Sequence, residues 1–177
     1  DLNYEKGFEG GIMKLLFYDD FKFGAVSGDT GIDLSSAETD IICVQPQDLL
    51  RQVIESFSQY QGKFEDLIKK GSGVPISGIR IRPPVPGPNN IVAMAVNYME
   101  NGTRAEPAPI NAFHKSPNAI IGSGDSMVLP DVKATIFEGE AELAMVIGKR
   151  ATNVRPEDAY DHIFGYLNFI DGSARGL

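Results

Sequence analysis

Glu138, Glu140 and Glu142 recur at every second position of FEGEAEL (137–143), and the apolar run AMVIG follows at once. Side chains at alternate positions of an extended strand share a face. The spacing therefore sets three carboxylates side by side, with Leu143, Met145 and Ile147 lining the other face and Val146 on the glutamate side. Like charges so placed repel, and partial burial raises the cost of keeping them ionised. Two arrangements tolerate such a row: a solvated charged face, or a divalent cation shared between the acids. Mg2+ and Ca2+ take oxygen ligands, and two carboxylates with water are a common set. Asp171 is the candidate for a third carboxylate, because it is expected to end the apolar strand GYLNFID and is followed by GSARG.

Other residue types capable of chemistry are few. Cys43 excludes an intrachain disulfide; its surroundings, DIICVQP, offer no basic partner, so a buried apolar thiol is expected. The only histidines are His114 and His162. His162, in EDAYDHI, suits a solvent-facing or helix-end position. His114 neighbours Lys115 in a strand, so the two should face opposite ways. GSGDSM has two glycines but no third and no helix after it, so a dinucleotide or phosphate cradle is not supported.

The elements that must position these groups are legible in outline. The chain of 177 residues, 42% apolar and 23% charged, can bury a core. A net charge of -8 argues against nucleic acid as a partner. No run approaches the ~20 apolar residues of a membrane span. The start, DLNYEKGFEGGI, is acidic and glycine-rich, unlike a signal peptide, so cytoplasm is the expected compartment and NGT at Asn101 carries little weight as a glycosylation site. Residues 1–12 read as an extension or tag remnant.

From Met13, two apolar-aromatic runs flank SGDTG, a hairpin signal. After Pro46, Leu49, Leu50, Val53, Ile54 and Phe57 make the stripe of an amphipathic helix; a second segment with Phe64, Leu67 and Ile68 ends at KKG. Residues 13–80 are thus expected to form a small α+β lobe. RIRPPVPGPNN, with prolines at 83, 84, 86 and 88, reads as a stiff linker over 81–90. Residues 91–177 should form a mainly β domain: strands at NIVAMAV, AFHKSPNAIIG, SMVLP, TIFEGEAELAMVIG and GYLNFID, with a helix start at Pro156.

The motifs in their order, RIRPPVP, IVAMAVNY, FHKSPNAIIGSGDSMVLP, GEAELAMVIGKRATNVRPEDAYDHIFGY and DGSARGL, resemble the fumarylacetoacetate hydrolase family from Met13 to Leu177. The resemblance implies an α+β, mainly β fold, with a β-roll catalytic domain behind the N-terminal lobe. It implies one divalent cation, Mg2+ with Ca2+ or Mn2+ as alternatives, held by Glu140 and Glu142 of E-x-E-L and by Asp171 ahead of SAR. Glu138 then falls outside the motif. Lys115 takes the position of the family's F-x-K lysine, and Arg175 that of the arginine after the third ligand. With Tyr98, both are expected to bind substrate, and both to serve catalysis. The expected partners are a 2-oxo acid or acylpyruvate and a second copy in a homodimer. The expected reaction is C–C bond hydrolysis, with isomerisation, dehydration or decarboxylation as alternatives.

Two departures from the family pattern qualify this. The lid histidine and glutamate that serve as base in hydrolytic members fall here on Asn101 and Arg104, which cannot. Glu106 or His114 are the candidates to replace them, and a scaffold impaired in catalysis is the competing expectation. The family fold also continues well past this point, so the chain is expected to belong to a longer protein or to depend on another chain.

Overall fold

The computed structural model describes residues 12–97, 105–106 and 108–177. Tyr98, Asn101, Arg104 and almost all of the expected N-terminal extension lie outside these residues.

Met13 leads into a hairpin pair. β1 (Lys14–Tyr18) turns at Asp19 into β2 (Lys22–Ser27), which turns at Gly28-Asp29 into β3 (Thr30–Asp33). The apolar run before SGDTG is thus two strands, split at Asp19-Asp20. Gly28 has φ 55, the left-handed conformation that two-residue hairpin turns require. β4 (Val74–Pro75) and β5 (Ile81–Arg82) complete an antiparallel sheet of order β4-β3-β2-β1-β5. Ile81 and Arg82, which open the segment expected as a linker, are therefore paired with β1.

Two helices cover the sheet. α1 (Pro46–Glu55) begins with Pro46 and Asp48 in its first turn and buries Leu49, Leu50 and Val53. The chain breaks at Ser56, and α2 (Phe57–Lys70) buries Tyr60, Phe64 and Ile68, one residue per turn of one face. Gly71 ends α2 at φ 68, its N–H donating to the Ile68 carbonyl. Phe23 meets Phe64 edge to face at 5.8 Å, and Phe17 packs on Phe23 at 5.3 Å. Burying each such ring contributes about 1.5–3 kcal/mol. Among the described residues, every buried apolar side chain lies between Leu16 and Ile68.

The remainder is built of two ribbons. β6 (Ile91–Met94) pairs with β7 (Ala112–Lys115), and β8 (Ile136–Ile147) pairs with β9 (Ile163–Arg175). A 3₁₀ helix, Pro156–His162, links β8 to β9, so the helix expected at Pro156 starts where expected but winds more tightly. Phe57 of α2 meets Phe164 of β9 edge to face at 5.2 Å, which ties the lobe to the second ribbon.

Three expectations need correction. SMVLP (126–130) is not a strand; its apolar residues Met127, Val128 and Leu129 are exposed coil. Asp171 does not end its strand, because β9 runs on through Arg175. Cys43 is exposed, in a loop whose neighbours Ile42 and Val44 are 91% and 93% exposed. A short apolar run is covered only if elements pack across it; Met127 lies against Gly172 of β9, yet Met127, Val128 and Leu129 all stay exposed.

One acid sits wrongly for a carboxylate. Glu38, after the 3₁₀ turn Ser35–Ala37, is buried, and its Oε2 has no hydrogen-bond partner among the described residues. Burial, with smaller contributions from Asp33 and Asp40, pushes its carboxyl up to about 7. The folded lobe therefore holds the proton more tightly than the unfolded chain does. The stability that this contributes is present in full below the ordinary carboxyl range and is lost as pH rises through about 7. Glu38→Gln should leave stability little changed at pH 5 and raise it at pH 8 by roughly 1–2 kcal/mol. Urea unfolding at the two pH values measures this; an equal effect at both would show that Glu38 does not titrate in this range.

Candidate functional site

β8 and β9 pair without interruption from Ile136↔Arg175 to Val146↔Gly165, with a register shift only between Val146 and Ile147. Strand alternation then divides the ribbon into two faces. Glu140, Glu142, Ala144 and Val146 are half-buried, while Ala141, Leu143, Met145 and Ile147 are exposed. Across from them, Leu167, Phe169 and Asp171 lie on the more buried side and Tyr166 and Ile170 on the exposed one. The apolar row after the glutamates is thus the open face of the ribbon, with Leu143 60% exposed and Ile170 63%. Patches of this kind mark surfaces made to be covered.

The register decides what the carboxylates can do. Glu140 stands directly opposite Asp171, Glu142 opposite Phe169 and Glu138 opposite Ser173. Directly opposed residues have Cβ atoms about 4.5–5.5 Å apart and share a face. The backbone therefore brings Glu140, Glu142 and Asp171 to one patch. Their side chains are not gathered there into a ready-made metal cluster: among the described residues no group of three acidic, histidine or cysteine side chains is.

Two basic side chains account for much of this. Lys115, at the end of β7, places Nζ 2.5 Å from Asp171 Oδ1, and donates to the Gly172 carbonyl at 2.9 Å and to Ser173 Oγ at 3.2 Å. The approach to Asp171 is close but badly directed, so the fully buried Oδ1 gains charge without a formal hydrogen bond. Asp171 is 3% exposed. Arg175, four residues on, donates from Nε to Glu138 Oε2 and from Nη2 to Glu140 Oε1, each at 2.6 Å. These bonds, the one to Glu138 first, raise the guanidinium pKa further above its ordinary value. They are half-exposed, so solvent screens them far more than the Lys115–Asp171 pair.

The other candidates lie outside this constellation. His114 precedes Lys115 on β7 and is exposed, on the opposite face by alternation. Glu106 is exposed. His162 ends the 3₁₀ helix and lines a hollow of about 400 Å³ with Phe57, Lys149 and Phe164, at the junction with α2. Neither that hollow nor another of about 290 Å³ beside Tyr18 and Asp33 is lined by Glu140, Glu142 or Asp171. Sequence reasoning missed two residues: Ser173, as a second anchor for Lys115, and Glu138, as the partner of Arg175. The DGSAR stretch and the alternate-position glutamates carried the only signal for them.

Residues 90–177 match the family model described as fumarylacetoacetate (FAA) hydrolase C-terminal. The chain belongs to the fumarylacetoacetate hydrolase family. Its fold is similar to that of the maleylpyruvate hydrolase from Sphingobium sp. SYK-6, whose crystal structure is in complex with manganese(II) and pyruvate; the TM-score is 0.81 at 30% identity, over 94% of this chain and 60% of that one. A fumarylacetoacetate hydrolase domain-containing protein 2 homolog of Dictyostelium discoideum is 32% identical over 93% of this chain and 56% of its own length. Oxaloacetate tautomerase YisK of Bacillus subtilis is 38% identical over 58% of this chain and 36% of its own length. The chain therefore spans between about a third and three fifths of the length of these relatives. The fold is the α+β, mainly β architecture of the family, represented in part.

Removing Lys115 would strand a buried charge on Asp171. Lys115→Met should cost roughly 3–5 kcal/mol of stability. The double variant Lys115→Met with Asp171→Asn should regain a large part of that loss, as read by chemical denaturation. Additive losses would show that the two side chains are not coupled.

Proposed function

We propose that the chain forms part of a divalent-metal-dependent enzyme acting on a 2-oxo acid or acylpyruvate, with C–C bond hydrolysis as the reaction. The observation that carries this is the pairing of Glu140 with Asp171 across β8 and β9, with Glu142 on the same face and Lys115 against Asp171. The donor set fits the group: carboxylate oxygens suit hard cations, and Asp171 Oδ1 is a buried oxygen lacking a well-directed donor. Glu140, Glu142 and Asp171 would hold the cation, Mg2+ or Mn2+. When bound, it would supply Lewis acidity toward the carboxylate and keto oxygens of a 2-oxo acid.

The remaining roles fall to this chain's own side chains. Lys115 is held by three oxygen atoms, so its ammonium is fixed in place before substrate arrives, which is what stabilising a developing enolate requires. Arg175 presents a planar fork of N–H donors suited to a substrate carboxylate. Tyr98 joins them in substrate binding in this reading, and Glu106 or His114 would serve as base.

A tautomerase is the second reading, favoured by a specific feature. Asn101 and Arg104 stand where hydrolytic members carry the base that prepares water. Interconverting keto and enol forms needs proton transfer but no water nucleophile. The similarity to an oxaloacetate tautomerase supports the same view.

Glu140→Ala and Asp171→Ala should each abolish detectable Mn2+ uptake, followed by calorimetry or by the free-ion electron paramagnetic resonance signal. Wild-type affinity in either variant would overturn the ligand assignment. Full-length protein assayed on maleylpyruvate and on the enol form of oxaloacetate separates the two reactions: cleavage of the first supports the hydrolase, and ketonisation of the second alone supports the tautomerase.

A further inference from the structure

Glu140 is asked to serve two masters. It is the glutamate opposite Asp171, and its Oε1 already accepts a 2.6 Å bond from Arg175 Nη2. A guanidinium in that position brings a full positive charge, and a divalent cation on the same carboxylate would meet strong repulsion from it. Arg175 is not held by Glu140 alone, however. Its Nε donates to Glu138 Oε2 at 2.6 Å, and Glu138 and Glu140 lie at alternate positions of β8, on one face. Arg175 pairs at the far end of the ribbon, opposite Ile136, so its side chain reaches along the ribbon to both acids.

We propose that Glu138 is a positioning residue: it retains Arg175 on the ribbon so that Nη2 can leave Glu140 when that carboxylate takes a cation, and can turn to the substrate's carboxylate. Arg175 then acts first as a counter-ion that offsets part of the charge of the glutamate row and afterwards as a substrate clamp. The third glutamate of the row acquires a function that its place outside the metal set does not explain. The inference rests on the metal reading proposed above and adds an exchange that this reading does not require.

The exchange predicts effects of opposite sign. With Mn2+ alone, Arg175→Ala in the full-length protein should tighten binding by roughly 5-fold or more, because a competing cation is gone. With oxalate as a chelating dicarboxylate probe, the same variant should bind the probe to its Mn2+ complex more weakly than wild type. Glu138→Gln leaves Arg175 dependent on Glu140. It should therefore weaken Mn2+ binding by roughly 3-fold more in the wild-type background than in the Arg175→Ala background. An Arg175→Ala variant with unchanged or weaker Mn2+ binding, or an equal effect of Glu138→Gln in both backgrounds, would overturn the exchange while leaving the metal site standing. Wild-type protein that takes up no Mn2+ would overturn both.

Discussion

Everything proposed for the site depends on the register in which β8 pairs with β9. Antiparallel pairing sets Glu140 against Asp171. Because side chains alternate, a slip of one residue would turn Glu140 and Glu142 to the open face and bring Leu143 and Met145 inward. Backbone bonds at both ends hold the register: Thr135 N–H donates to the Arg175 carbonyl, and Gly148 N–H to the His162 carbonyl. The sole shift along the ribbon, between Val146 and Ile147, comes beyond the last glutamate and leaves the acids in step.

Given that register, the site becomes a problem of charge balance. One face of the ribbon carries four carboxylates, Glu138, Glu140, Glu142 and Asp171, and Lys115 and Arg175 are basic side chains that reach it. They are not equivalent. Lys115 meets Asp171 where water is largely excluded, so their attraction is little screened and either one alone would be costly. Arg175 meets Glu138 and Glu140 where water has access, so those contacts can be exchanged at small cost. A fixed ammonium beside an exchangeable guanidinium would suit the charged substrate proposed above.

The two halves of the chain meet their cost of folding differently. The lobe buries Phe17, Phe23, Phe64 and their neighbours between one sheet and two helices, a self-sufficient core. The ribbons that carry the site have no such core among the described residues. They lean on the lobe through Phe57 against Phe164, on one another through Lys115, and leave Leu143, Met145 and Ile170 open. The chain spans 56% of the length of the Dictyostelium relative and 60% of the Sphingobium one.

What the amino-acid order determined alone was everything local. The period of Leu49, Leu50 and Val53 made a helix, Gly71 stopped the next one, SGDTG made a hairpin, and the alternation of glutamates with apolar residues made a two-faced strand. These follow from backbone geometry and from patterns a few residues long. The order of motifs was also enough to point to the family, because that likeness is carried by residue types and spacing. Only the tertiary structure decided which faces are covered and which charges meet. Cys43 is exposed, SMVLP stays unpaired, Asp171 lies within its strand, and Glu138 holds Arg175, thirty-seven residues away in the chain. Burial and ion pairing depend on elements distant in sequence, and no short pattern records where those elements will pack.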